Sequence, residues 1–202
     1  MMVGFGMATL AWAGAYEDAL DAIKADNVTT INQLLRKGVE VDTVDAQGNT
    51  LLLIAAREGS GKSLEALLAA GAKVNATNQL GETALMYAAI RGQPDAAKLL
   101  ISKGAAIDPA GWTPLIYAAA KGDIAVARLL IGAGAQVDRT GPNGVTALMM
   151  AAREGRFEMV DFLIKSGAGV NLQNEDGLTA LGLAQKSKQS EVIFLLTKAG
   201  GK

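Results

Sequence analysis

The sequence predicts an all-α fold, a solenoid of about six helix–turn–helix units with short β-turn fingers. Five blocks that each begin with a Gly-x-Thr triplet recur along the 202 residues. The threonines of successive blocks are 33, 30, 33 and 33 residues apart. Each block is followed by a second apolar segment that ends or stops near a Gly. A repeat of this length is the signature of a solenoid, in which stacked units share one continuous core.

The first helix of each unit has a predicted start and a predicted end. A Thr hydroxyl can accept a hydrogen bond from a free N–H group at a helix N-terminus. The five threonines in this position are Thr50, Thr83, Thr113, Thr146 and Thr179. Gly adopts the left-handed conformation that ends a helix at little cost. The glycines expected to end the first helices are Gly59, Gly92, Gly122 and Gly155.

The second helix of each unit is predicted from a pair of large apolar residues followed by Gly. The pairs are 34–35, 67–68, 99–100, 129–130, 162–163 and 195–196, and we expect them to form a buried stripe. The glycines that follow are Gly38, Gly71, Gly104, Gly134, Gly167 and Gly200. The predicted units therefore span about 16–44, 45–77, 78–108, 109–140, 141–173 and 174–202. The first and last units are more polar, as the ends of a solenoid must be to stay soluble.

Residues 1–15, MMVGFGMATLAWAGA, are apolar, uncharged and too short to span a bilayer. An apolar run followed by Ala-x-Ala is typical of a secretory signal peptide, and two such tripeptides lie at 11–13 and 13–15. Cleavage would give a periplasmic or secreted protein that begins near Tyr16. No Lys or Arg precedes Lys24, so the basic start of a signal peptide is missing. The alternative is therefore an uncleaved apolar arm, packed on the first helix of a cytoplasmic protein.

The composition excludes several classes of function. Nineteen basic and twenty acidic residues give a net charge of −1, which offers no field for nucleic acid or an anionic membrane. The chain has no His and no Cys, so His-based acid–base catalysis, Cys or Ser-His nucleophiles and the usual zinc sites are excluded. We therefore expect no catalytic residue, no metal, no cofactor, no nucleic-acid partner and no membrane insertion of the mature chain.

The segment AREGSGKS at 56–63 resembles the end of a phosphate-binding loop. Such a loop must follow a strand and open a long helix. The repeat instead places this segment between two short helices, with Lys62 on the solvated side of the second. Nucleotide binding through Gly59–Ser63 is therefore kept only as the less favoured alternative.

The same segment has a structural interpretation within the repeat. We expect Ser60 to help start the second helix of its unit. Gly61 and Ser63 occupy places that hold larger residues in other units. A Gly inside a helix costs about 1 kcal/mol relative to Ala. The sequence therefore predicts a soft second unit here, and no active site.

The chain resembles ankyrin repeat proteins from about residue 16 to residue 200. The family signature Thr-Pro-Leu-His-x-Ala appears most fully as TPLIYA at 113–118. No unit has the His of this signature, and we expect apolar packing to replace the hydrogen bonds that it usually makes. The Thr-Ala-Leu-Met wording, together with the apolar start, is most similar to bacterial ankyrin proteins of the periplasm.

The resemblance implies a concave binding face made of the turn fingers and the first helices. Transferred position by position, the turn residues of this face include Gln79, Leu80, Trp112 and Asn143. The helix residues include Arg57, Ile90, Arg91, Lys121, Arg153 and Glu154. Tyr87 and Tyr117 lie one helical turn before the helix residues and are expected to share the face. The charges of the helix row either attract an acidic patch on a partner or form an ordinary solvated face.

The 30-residue step predicts that one finger, at Pro109–Gly111, is shorter than its neighbours. A short finger would leave a notch beside Trp112, and aromatic residues of this kind are common hot spots of interfaces. The alternative is that Trp112 folds onto Leu80 and Tyr117 and only covers the short turn.

The sequence thus predicts a monomeric, non-catalytic scaffold that binds another protein. Two further alternatives stay open at this point. One is a secreted effector that binds a host protein, and the other is a structural module with no specific partner.

Overall fold

A computed structural model describes the backbone of residues 5–202 and the side chains of residues 14–202. This part of the chain forms twelve α-helices and one 3₁₀ turn, Pro142–Gly144, and no extended strand. The helices are α1 (Phe5–Lys24), α2 (Val28–Arg36), α3 (Leu51–Glu58), α4 (Gly61–Ala69), α5 (Ala84–Arg91), α6 (Pro94–Ser102), α7 (Pro114–Lys121), α8 (Ile124–Gly132), α9 (Ala147–Arg153), α10 (Phe157–Lys165), α11 (Ala180–Lys186) and α12 (Ser190–Lys198). Odd-numbered helices are the first helices of the units and even-numbered helices are the second, which confirms the predicted all-α solenoid.

Residues 1–4 and the side chains of residues 5–13 lie outside the described part, so the signal segment 1–15 stays a prediction. The final turns of α1 pack against α2 and α3, with Ala19, Ala22 and Ile23 buried. None of the described helices has both the length and the apolar character needed to cross a bilayer.

Threonine caps start five of the six first helices, α3, α5, α7, α9 and α11, as predicted. In α3, the Thr50 hydroxyl oxygen accepts from the Leu53 N–H at 3.2 Å. The hydroxyl oxygens of the threonines at 83, 113, 146 and 179 likewise accept from the N–H of the residue three positions later. All five are buried, so each cap also satisfies polar groups that have no access to water.

The interhelical glycines are required by both conformation and space. Gly59, Gly92, Gly122 and Gly155 have φ values of 82°, 66°, 84° and 68°, which confirms the predicted left-handed ends. At Gly92, an added Cβ would also lie 2.6 Å from the Asp123 Oδ2 of the next unit. The glycine therefore lets the following unit pack directly against the turn.

One apolar core runs through all the units. In four of the five units with the signature, the residue in the place of the family's His is Leu53, Met86, Ile116 or Met149, each at most 1% exposed, and in the fifth it is Gly182. Apolar packing has therefore replaced that His in these four units, although Met86 Sδ also accepts from the Thr83 N–H at 3.3 Å. In the second helices, the predicted stripe is narrower than expected. Only Leu34, Leu67, Leu100, Leu130, Leu163 and Leu196 occupy its centre in every unit, and most of their paired neighbours are half-buried.

Side chains between the units form what we call the linker row. Its members are Asp42, Asn75, Asp108, Asp138 and Asn171. Asn75 Oδ1 accepts from the Ala106 N–H at 2.7 Å, and its Nδ2 donates to the Gly104 carbonyl at 3.1 Å. Each other member accepts from a backbone N–H that lies 28 or 31 residues later. The row therefore connects every unit to the next.

Ser60 is the N-cap residue of α4, as predicted, but it does not cap the helix through its side chain. Its side chain makes no cap hydrogen bond and instead donates to the Ile23 carbonyl at 2.6 Å. The amides of Lys62 and Ser63 at the start of α4 donate to the carboxylate of Asp26, at 3.3 and 2.7 Å. A carboxylate from the preceding unit therefore caps this helix.

Candidate binding surface

Five turns, which we call fingers, project beside the first helices. Finger 2 is 45–49, finger 3 is 78–82, finger 4 is 108–112, finger 5 is 141–145 and finger 6 is 174–178. Finger 2 is closed by two backbone bonds, from Asp45 N–H to the Asn49 carbonyl at 3.1 Å and from Gly48 N–H to the Asp45 carbonyl at 3.0 Å. Fingers 3 and 6 have the same pair of bonds, and finger 5 has a related pair.

A side chain at the first position of a finger stabilises the turn. In finger 3, Asn78 Oδ1 accepts from the N–H groups of Leu80 and Glu82, both at 3.0 Å. Asp45 in finger 2 and Asn174 in finger 6 accept from the equivalent amides. These three residues are not among the predicted ones, although their recurrence three positions before the turn Gly is visible in the sequence.

Finger 4 lacks this stabilisation because of the three missing residues. In other units the linker-row residue and the first finger residue are separate, whereas Asp108 occupies both places. Its Oδ2 accepts from the Gln136 N–H at 2.8 Å, and its Oδ1 is buried without a partner in the described part of the chain. Over residues 14–202, no hydrogen bond closes 108–112 upon itself. The deletion has therefore kept the link between units and left the turn open.

Neighbouring fingers are joined except on the two sides of finger 4. Gln79 N–H donates to the Gln47 carbonyl at 3.1 Å, and Glu175 N–H donates to the Asn143 carbonyl at 2.9 Å. In fingers 4 and 5, the donor position holds Pro109 and Pro142. Proline has no N–H, so neither can make the join.

Local space shows the same interruption. An added Cβ on Gly48 or Gly144 would lie 3.3 Å from the backbone of the following finger. At Gly81 and Gly111, nothing described lies within 4 Å of that position. Successive fingers are therefore not in close contact on either side of finger 4, and we call this interruption, at the place where the sequence predicts a notch, the notch.

Trp112 lies at the side of this notch that is closer to finger 5. The ring is half-buried, and its centroid is 5.9 Å from that of Tyr117 at an interplanar angle of 36°. An added Cβ on Gly141 would meet the indole at 3.3 Å. On the opposite side, Leu80 is 80% exposed. The alternative that Trp112 covers Leu80 is therefore wrong, although its contact with Tyr117 is present.

Both tyrosines are influenced by the carboxylate of Glu82, but only Tyr87 is hydrogen-bonded to it. The Tyr87 hydroxyl donates to Glu82 Oε2 at 2.6 Å, and Asn78 Nδ2 donates to the same oxygen at 2.8 Å. Burial first, and then the hydrogen bond to Glu82, raise the pKa of Tyr87 to about 12. Burial, followed by the charge of Glu82, also raises the pKa of Tyr117. Both rings are therefore held as neutral, half-buried groups between the fingers and the helices.

The basic residues of the face differ in their neighbours. Arg57 lies 3.2 Å from Glu58, and Arg153 lies 3.0 Å from Glu154. Arg91 and Lys121 are exposed, and no carboxylate described by the structure lies within 4.0 Å of them. The uncompensated positive charge is therefore concentrated on α5 and α7.

The remaining predicted site residues lie beside this centre. Ile90 is half-buried on α5, and Asn143 is exposed at the tip of finger 5. Gln79 is exposed, but its side chain donates to the Ala46 carbonyl at 3.0 Å, so it also joins fingers 2 and 3.

The segment Gly59–Ser63 does not have the form of a phosphate loop. It joins helices α3 and α4 and does not follow a strand. The backbone N–H groups of Lys62 and Ser63, which a phosphate would need, donate to Asp26. The role of Asp26 as the acceptor for these amides could not be predicted from the sequence, because it depends on the packing of the first unit against this turn.

Comparison with known proteins agrees with this architecture. A family model described as "Ankyrin repeats (3 copies)" matches residues 52–141 and 134–202. No curated protein gives a match. The crystal structure of the human ASB11 ankyrin repeat domain has a TM-score of 0.84 and 26% identity, and the match covers 91% of this chain and 84% of that one. Ankyrin repeats are generally protein-interaction scaffolds. The chain belongs to the ankyrin repeat family.

Proposed function

We propose that this chain is a monomeric, non-catalytic scaffold of the bacterial periplasm that binds another protein through its concave face. The face consists of fingers 2–6 and the exposed positions of the first helices. A rigid face formed before binding loses little conformational entropy when a partner docks, which favours affinity.

The observation that carries this proposal is the notch between fingers 3 and 5. It exposes most of Leu80 beside the half-buried ring of Trp112. Exposed apolar surface next to an aromatic residue is typical of interface centres. Arg91 and Lys121 add positive charge on the adjoining helices, which would steer an acidic partner towards the face.

Affinity capture tests the binding face. The wild type is compared with the double variant Trp112→Ala, Arg91→Glu, and with a matched control, Phe194→Ala, Lys98→Glu. The control residues are exposed on the second helices α12 and α6, away from the concave face. We expect the captured partner to be lost only from the concave-face variant. Equal recovery of the same proteins from all three would show that the chosen face is wrong.

The periplasmic location is supported by the apolar residues 1–15 and their Ala-x-Ala tripeptides. Cell fractionation with N-terminal sequencing of the full chain tests it. We expect a periplasmic protein that starts near Tyr16. Recovery from the culture medium would instead favour the secreted effector, and an intact N-terminus in the cytoplasm would contradict export.

A further inference from the structure

We infer that the interruption at finger 4 is the recognition centre of this face, where an extended acidic segment of the partner completes the broken finger row. The inference rests on the proposed function and specifies the form of the partner. The segment is held by hydrogen bonds from its backbone to the carbonyls of Leu80 and Ala110. Its side chains provide one apolar residue for the notch and one acid for the helix row.

The backbone argument comes from the joins that are present. In the two intact joins, the carbonyls of Gln47 and Asn143 accept an N–H from the next finger. Leu80 and Ala110 occupy the same place in fingers 3 and 4. The donor position opposite Leu80 holds Pro109, and the one opposite Ala110 holds Pro142. Neither carbonyl accepts a hydrogen bond from any residue that the structure describes.

Both Leu80 and Ala110 are exposed, so the two acceptors are accessible to a partner. The backbone N–H groups of an extended partner segment can supply the donors that Pro109 and Pro142 lack. Finger 4 also has two backbone donors to offer. Asn78 accepts from the equivalent amides in finger 3, whereas Asp108 accepts from Gln136 and leaves the amides of Ala110 and Trp112 without an acceptor. An extended chain alternates donors and acceptors, so one segment of the partner offers groups of both kinds.

The side chains around the notch define one requirement for the segment. Leu80 is 80% exposed on one side, and the Trp112 ring lies on the other. The space beside Gly81 and Gly111 is open for at least 4 Å among the described atoms. An apolar side chain of the partner would bury Leu80 there.

The charges define the second requirement. Lys121 ends α7, whose eight residues begin next to finger 4, and Arg91 ends the neighbouring α5. Eight residues of helix span about 12 Å, or about four residues of extended chain. The carboxylate of Glu82, on finger 3, already accepts from Tyr87 and Asn78. The segment should therefore carry an acidic residue about four positions from its apolar residue.

A displayed library of random dodecapeptides, selected on the full chain, tests this inference. We expect enriched peptides to combine a large apolar residue with Asp or Glu about four positions away. The decisive variant restores finger 4 by inserting Ala-Thr-Asn after Asp108 and replacing Pro109 with Gln, which keeps Trp112. It rebuilds the pattern of finger 3 and closes the side of the notch that faces Leu80, while Pro142 keeps the Ala110 side open.

A synthetic copy of an enriched peptide should bind the restored variant at least about tenfold more weakly than the wild type. Lys121→Glu should weaken binding similarly, whereas the control Lys98→Glu on α6 should not. The restored variant should be at least as resistant to urea as the wild type, which separates lost binding from unfolding.

Undiminished binding to the restored variant, or failure to enrich any peptide of this pattern, overturns the inference. If binding still falls with Arg91→Glu and Lys121→Glu, the proposed concave face survives without the notch. If no variant of the face changes binding, the proposed function fails as well.

Discussion

The carboxylate of Asp26 accepts hydrogen bonds from both the backbone N–H and the hydroxyl of Ser63, at 2.7 and 2.8 Å. Ser63 is fully buried, so its hydroxyl has no access to water as an alternative partner. This contact fastens the first unit to the second at the only place where the sequence resembles a nucleotide-binding motif. The GKS triplet is thus part of a joint between units.

Replacing Asp26 with Ala should destabilise this joint. Hydrogen bonds to a charged group contribute about 1.5–3 kcal/mol, and the loss leaves a buried hydroxyl unpaired. We expect a decrease of at least that order in the free energy of unfolding, measured with urea, because Ala at the left-handed φ of 49° adds strain to the lost hydrogen bonds. The exposed pair of Asp21 with Lys24 is the control, since surface pairs contribute about 0–1 kcal/mol. Equal effects of Asp26→Ala and Asp21→Ala would contradict this role.

Replacing Asp108 with Asn should stabilise the protein. Asn75 and Asn171, in the same row, each donate through Nδ2 to the carbonyl of the Gly that ends the adjacent helix. Asp108 cannot donate, and its Oδ1 is buried without a described partner. An amide there would reach the equivalent Gly134 carbonyl and add about 0.5–1.5 kcal/mol. A decrease in the thermal midpoint would show that the unpaired oxygen has another role.

The environment of Tyr87 predicts a loss of stability at alkaline pH. Its pKa is raised to about 12 by burial and by Glu82, so ionisation disfavours the folded state. The contribution is complete below pH ~10, the usual pKa of Tyr, and is lost as the pH rises towards 12. Tyr87→Phe should remove this part of the pH dependence, which urea unfolding at several pH values would measure. An unchanged profile in the variant would contradict the assignment.

Gly92 and Gly61 should respond in opposite ways to replacement by Ala. At Gly92, φ is 66° and Asp123 occupies the space of a Cβ, so we expect a loss of at least about 1 kcal/mol. Gly61 lies exposed at the start of α4 with open space around it, so Ala should gain about 0.5–1 kcal/mol. The free energy of unfolding of both variants is measured with urea. A loss of stability in Gly61→Ala as well would contradict the open space that we describe at the start of α4.

Much of the fold follows from the repeat alone. The Thr caps, the interhelical glycines and the central Leu of each second helix recur at fixed spacing, so one physical interpretation applies to every unit. The irregular unit was also predictable, because three missing residues are visible against a regular period, although they shorten the segment before finger 4 and not the finger itself.

Contacts that occur once were not predictable. Asp26 meets Ser63 because two different units pack together, and no second copy of this pair exists to reveal a pattern. The direction of Trp112 likewise depends on Gly141 in the next finger, which leaves room for the indole. Finger 4 lacks hydrogen bonds both within itself and to its neighbours, because three residues are missing and because prolines stand at two donor positions. The connection between these features becomes visible only in the pattern of backbone hydrogen bonds.

The central claim is that the finger row is open at finger 4 and is closed by a partner. The most direct test is amide hydrogen exchange in fingers 3 and 4. In the free protein, we expect the amides of Ala110 and Trp112 to exchange faster than those of Leu80 and Glu82, which donate to Asn78. Binding of a selected peptide should then slow exchange at Ala110 and Trp112. Equal protection of the two fingers in the free chain, or no slowing when the peptide is bound, would contradict it.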